Sequence, residues 1–153
     1  MALILFDTNI FIDMFNGVHQ ATVELGSYES PAISFITYME LRCGEYVRPH
    51  EKPVLDALLA EFKVFPMTPH IMEIAIEIRG RSLVAKPGVK LPDAIIGATA
   101  RAHSIPLVTR NAKDFVSADI TVHIPYDYDS VSGAVSNIRP PHDFRTSIVN
   151  LRK

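Results

Sequence analysis

Short apolar runs recur along this chain in alternation with segments whose apolar residues fall at helical spacing. Leu3-Ile4-Leu5-Phe6, Ala32-Ile33-Ser34, the stretch around Val64 and Phe65, and Pro106-Leu107-Val108-Thr109 read as strands. Between them, Ile10, Phe11, Met14 and Phe15 mark a helix that Gly17 stops, and Thr37-Tyr38-Met39-Glu40 opens another that runs toward Arg48 before Pro49. Val54, Leu55, Leu58, Leu59 and Phe62 mark a third helix, and Ile71, Ile74, Ala75 and Ile78 a fourth. After the connection Lys86-Pro87-Gly88-Val89-Lys90, Leu91-Pro92-Asp93 opens a fifth, whose small residues Ala94, Ala98 and Ala102 permit close packing on a sheet. A continuous apolar run such as 3–6 suits a strand covered on both faces, and parallel neighbours need crossovers. The alternation therefore predicts an α/β fold with a parallel sheet. In the last strand Ile120, Val122 and Ile124 alternate with Thr121 and His123, which predicts a less buried element.

At 153 residues one domain is expected, with enough chain to bury a sizeable core. Hydrophobic content of 48% with 21% charged residues suits a soluble globular protein rather than a disordered one. The apolar opening from Ala2 to Phe6 is too short for a signal peptide or membrane span. With Cys43 as the lone cysteine no intrachain disulfide forms, so a reducing, cytoplasmic setting is expected. Beyond Pro125 the pattern weakens. Tyr126-Asp127-Tyr128-Asp129 and Arg139-Pro140-Pro141-His142 read as an extended polar tail, and Ile148-Val149-Asn150-Leu151 as one short docking element. The expected organisation is a domain over residues 1–125 and a C-terminal tail, 126–153, packing on or extending from it.

Asp7, Glu40, Asp93 and Asp114 each stand where an apolar stretch gives way to a helix or loop. Taken singly, helix capping explains every one: Thr37-x-x-Glu40 has capping-box spacing, Asp93 follows Pro92 in a first turn, Asn111-x-x-Asp114 can cap another, and Asp7 or Thr8 can cap the first helix. Taken together, they fall on the carboxyl edge of a parallel sheet, where open α/β folds place ligands. Carboxylates gathered there repel one another unless a proton or a hard cation sits among them, which suits Mg2+. Thr109 and Asn111 can support such a site by hydrogen bonding. His70-x-x-Glu73 is a single weak pair, too little for a zinc site. The net charge of −2 gives no global pull toward nucleic acid, so binding would rest on local cations such as Arg42, Lys90 and Arg110.

These residues resemble the PIN domain, in particular a VapC-type toxin ribonuclease. The resemblance rests on Leu5-Phe6-Asp7-Thr8-Asn9, on Ile36-Thr37-Tyr38-Met39-Glu40-Leu41, on Leu91-Pro92-Asp93-Ala94-Ile95-Ile96-Gly97-Ala98-Thr99-Ala100, and on Leu107-Val108-Thr109-Arg110-Asn111-Ala112-Lys113-Asp114-Phe115. The motifs occur in family order over about residues 2 to 125. The resemblance implies a three-layer fold, with a small parallel sheet ordered 3-2-1-4-5 between helices. It implies Asp7, Glu40, Asp93 and Asp114 as catalytic metal ligands, Thr8, Thr109 and Asn111 as polar supports, and Mg2+ or Mn2+ as cofactor. RNA as substrate, a VapB-type antitoxin as partner and a homodimer are implied as well. Before Asp93 the chain has Lys90 and Leu91 where some members carry a further acid, and no role transfers to the tail.

Hydrolysis of an RNA phosphodiester by in-line attack of metal-activated water is the expected chemistry, leaving a 3'-hydroxyl and a 5'-phosphate. Arg42, Lys90 and Arg110 are the expected backbone contacts, with Tyr38 available for stacking. A PIN fold that only binds RNA or protein is the alternative. A phosphatase with Asp7 as nucleophile ranks lower, because the haloacid-dehalogenase type needs an acid where this chain has Asn9.

Overall fold

The computed structural model describes residues 3–142, with backbone alone for 116 and 117. Five strands form one parallel sheet: β1 (Ile4–Phe6), β2 (Pro31–Ser34), β3 (Lys63–Phe65), β4 (Leu107–Val108) and β5 (Val122–His123), in the order β3-β2-β1-β4-β5. Helices α1 (Thr8–Phe15) and α2 (His19–Leu25) connect β1 to β2, and α3 (Phe35–Gly44) and α4 (Lys52–Leu59) connect β2 to β3. Helices α5 (Pro69–Ala85) and α6 (Leu91–His103) connect β3 to β4, and a 3-10 helix (Ala112–Ala118) lies between β4 and β5. This is the α/β fold expected from the sequence pattern, with the three layers and strand order that the family resemblance implies.

Alternation along β1 sorts the core. Leu5 joins Ala32, Leu107, Ile71, Ile78 and Ile96 on one face of the sheet, whereas Ile4 and Phe6 join Ile33, Val108, Ile10 and Phe11 on the other. The small residues of α6 do what the sequence suggests. Its Ala94, Ala98 and Ala100 are buried, and a Cβ added to Gly97 would lie 3.0 Å from Ala118 Cβ and 3.4 Å from Phe115 Cδ1. Glycine thus lets α6 approach the 3-10 helix that carries Asp114.

Four details depart from the sequence expectations. Helix α3 starts earlier, at Phe35, because Ser34 caps it by accepting from Thr37 N at 3.3 Å, so Glu40 belongs to no capping box. The 3-10 helix begins after Asn111 without a side-chain cap. Strand β5 is fully buried rather than less buried than the others, since His123 faces inward onto the buried Glu24 of α2, 3.2 Å away. The described part of the tail is not simply extended. It forms an antiparallel pair, β6 (Asp127–Tyr128) with β7 (Val135–Ser136), and returns so that the His142 ring lies 2.6 Å from Ser27 O. The short element expected at Ile148-Val149-Asn150-Leu151 lies outside the described residues. Among the described residues, no helix is long and apolar enough to cross a membrane.

Candidate functional site

Asp7 follows the last residue of the central strand, and its setting comes directly from the sheet register. Phe6 pairs with Val108, and the ladder continues with Asp7 N donating to Val108 O at 2.9 Å. The next residue of the neighbouring chain segment is Thr109, whose hydroxyl donates to Asp7 Oδ2 at 2.7 Å. The other oxygen of Asp7 accepts from Thr8 N at 2.7 Å and caps α1. Asp7 thus caps α1 with one carboxylate oxygen and keeps the other on Thr109. Thr109 Oγ1 in turn accepts from Asn111 N at 3.1 Å and from Asn9 Nδ2 at 3.3 Å, and Asn9 Oδ1 is buried with no hydrogen-bond partner among the described residues.

Burial pushes the Asp7 carboxyl up to about 7, with further upward contributions from the charges of Asp93 and Glu40, against the hydrogen bonds from Thr109 and Thr8. Glu40, on α3, accepts from Thr8 Oγ1 at 3.2 Å. Partial burial raises its pKa, and the charge of Asp93 adds to the rise. Asp93, in the first turn of α6, is half-buried and also raised, first by burial and then by the charge of Asp114, with Lys90 acting the opposite way. Three elements thus bring Asp7, Glu40 and Asp93 into one electrostatic field, and Asp114 joins it through Asp93. Among the described residues, no group of three His, Cys, Asp or Glu side chains converges closely enough to form a ready-made metal cluster. The acids share a region without closing on a point.

The cations fare differently. Arg42 is engaged by Glu45 and Asp56 and lies 5.2 Å from the Tyr38 ring centroid. Arg110 forms a two-pronged ion pair with Asp13, a buried acid of α1 that sequence reasoning passed over. Nothing near Asp13 in sequence pointed to that role, because its partner lies 97 residues away. Lys90 faces solvent as the residue preceding α6, close enough to Asp93 to oppose its protonation. A cavity of about 350 Å3 opens between α1, α3 and α4. It meets the acidic region at Thr8 and Glu40, and Ile12, Phe15, Val47 and Leu55 form much of its wall.

A parallel sheet ordered 3-2-1-4-5, with acids past the carboxyl ends of its strands, defines an α/β protein whose candidate site lies beside the central strand. The chain belongs to the PIN domain family, matched over residues 4–120. Among solved structures it is similar to a toxin-antitoxin complex from Klebsiella pneumoniae, with 40% identity over 83% of this chain and 99% of that one and a TM-score of 0.68. It is also similar to FitAcB from Neisseria gonorrhoeae, at 27% identity over 80% of this chain and 97% of that one, with a TM-score of 0.70. DNA-bound VapBC from Salmonella typhimurium shares the fold, at 20% identity over 80% of this chain and 98% of that one and a TM-score of 0.70. A comparison with curated proteins found no match.

Proposed function

We propose that this chain is a divalent-metal-dependent endoribonuclease, the toxin of a VapBC-type toxin-antitoxin pair. The observation that carries this reading is the shared field of Asp7, Glu40 and Asp93 at the carboxyl edge of the sheet. The donor set is all oxygen, and burial first and like charges second push it toward protonation, which is the chemistry of a site suited to a hard cation. Asp7, Glu40 and Asp93 would hold Mg2+ or Mn2+, with Asp114 completing the set from the 3-10 helix. When bound, the ion supplies an acidified water and offsets charge that builds on phosphate.

The other roles belong to the side chains. Thr109 orients Asp7 by donating to Oδ2, and Thr8 orients Glu40 in the same way. Asn111 fixes the Thr109 hydroxyl from its backbone N–H. Lys90 is the cation we assign to a backbone phosphate of RNA, whereas Arg42 and Arg110 are committed to acids of the chain. The cavity beside Glu40 is where a restraining VapB-type segment would seat its apolar side chains. The exposed Met72, Ile76, Leu83 and Val84 of α5 offer a surface for a homodimer.

Purified protein and its Asp7→Asn and Asp93→Asn variants, assayed on structured RNA, test the reading. Cleavage is expected with Mg2+ or Mn2+, to be abolished by chelator and reduced by about a hundredfold or more in each variant. Cleavage that survives both substitutions and chelation would overturn it. An intact partner complex with no metal-dependent cleavage by the wild type would favour a binding-only PIN module.

A further inference from the structure

We propose that Tyr126 is a positioning residue of the active site, acting through Asp13 and Arg110 to fix the loop 109–111 against Asp7. The inference rests on the nuclease reading for its consequence in catalysis, and on hydrogen bonding alone for its geometry. Tyr126 is fully buried, and its hydroxyl donates to Asp13 Oδ2 at 2.7 Å. Asp13 Oδ2 also accepts from Arg110 Nε, and Oδ1 accepts from Arg110 Nη2 at 2.9 Å. Paired donors of this kind fix the orientation of a guanidinium as well as its place. The ring of Tyr128 lies under the same guanidinium, 5.5 Å from Cζ to centroid.

Arg110 sits between the two residues that set the environment of Asp7. On one side Thr109 donates to the Asp7 carboxylate, and on the other the Asn111 N–H holds the Thr109 hydroxyl in that orientation. The loop is therefore tied on one flank to the acid and on the other, through Arg110, to α1. Tyr126 adds a tie from the segment that follows β5. That segment is itself fastened, with Arg139 N donating to Pro125 O at 2.8 Å and Arg139 Nη1 to Ile124 O at 3.2 Å. Burial and the bond to Asp13 hold the Tyr126 hydroxyl far above the usual tyrosine range, so it remains a donor throughout the neutral range. Both tyrosines lie beyond residues 4–120, the stretch matched to the family.

Tyr126→Phe keeps the buried ring and removes one hydrogen bond to a charged group. Arg110→Lys keeps the charge and removes the two-pronged geometry. Amide hydrogen exchange in chelator, without RNA, reads the loop directly, and RNA cleavage by the same proteins reads its consequence. In both variants, exchange at Asn111 is expected to rise about tenfold while protection in α5 is unchanged, and kcat is expected to fall about tenfold with KM within about twofold. Unchanged exchange at Asn111 in Tyr126→Phe would overturn the proposal whatever Arg110→Lys shows, as would accelerated exchange with wild-type kcat. Should wild-type protein cleave no RNA, the nuclease reading falls, and the exchange measurement by itself decides whether Tyr126 holds the loop.

Discussion

Replacing Asp7 by asparagine should stabilise the protein at alkaline pH and fail to do so in acid. In the fold the Asp7 carboxyl stands at about 7, against 3.8 for the exposed group. The folded state therefore binds more protons than the unfolded chain across this interval, and stability falls as pH rises from about 4 to about 7. Above that window the ionised carboxylate, only 5% exposed, costs the fold about 4 kcal/mol. The asparagine side chain carries no charge and escapes the penalty. It has its own cost, because the Thr109 hydroxyl already accepts from Asn111 N and Asn9 Nδ2 and offers no further acceptor to the new amide. An unsatisfied donor of that kind costs about 1–3 kcal/mol. The variant should gain about 1–3 kcal/mol at pH 8.5 and lose that gain at pH 4.5, where Asp7 is already protonated. Urea unfolding in chelator at the two pH values, with matched slopes, measures the difference. A change in stability that is the same at both would refute the assignment of Asp7 as a strained, buried acid.

Asp13→Asn removes the carboxylate that pairs with Arg110 and accepts from Tyr126, and should destabilise by about 3–5 kcal/mol in the same denaturant assay. Gly97→Val places branched atoms where even a single Cβ would lie 3.0 Å from Ala118. It should destabilise by about 1–3 kcal/mol in thermal or urea unfolding, and a crystal structure should show the 3-10 helix with Asp114 displaced from α6. Ser34→Ala removes the cap of α3 and should lower stability by about 1 kcal/mol; an unchanged urea midpoint would show that the Thr37 N–H finds another partner.

The parallel sheet and its edge were legible because they depend on local pattern. The buried run before Asp7, the helix-start chemistry at Pro92 and Asp93, and the alanines of α6 each carry their meaning in a few neighbouring residues. Helix α2 was not foreseen because its sequence lacks a capping side chain and presents few apolar residues, with Glu24 buried at a position that reads as solvent-facing. That burial depends on Tyr28, which donates to Glu24 Oε1 at 2.6 Å, and on His123 from a distant strand. For the same reason β5 reads as less buried in sequence. The site divides along similar lines. Acids at strand ends are visible as a set, while the use made of each cation is decided by partners remote in sequence, as with Arg110 and Asp13 or Arg42 and Asp56. The hairpin after Pro125 escaped notice because each of its strands is only two residues long.

The central claim is that Asp7 and Asp93 belong to one site for a divalent ion. Calorimetric titration of the wild type with Mn2+ at pH 7, in two buffers of different ionisation enthalpy, tests it most directly. Binding should release protons, because burial pushes the Asp7 carboxyl up to about 7 and it must ionise to hold the ion. The Asp7→Asn/Asp93→Asn double variant should show neither the binding nor the release. Equal Mn2+ affinity in the double variant, or no binding by the wild type, would contradict the account.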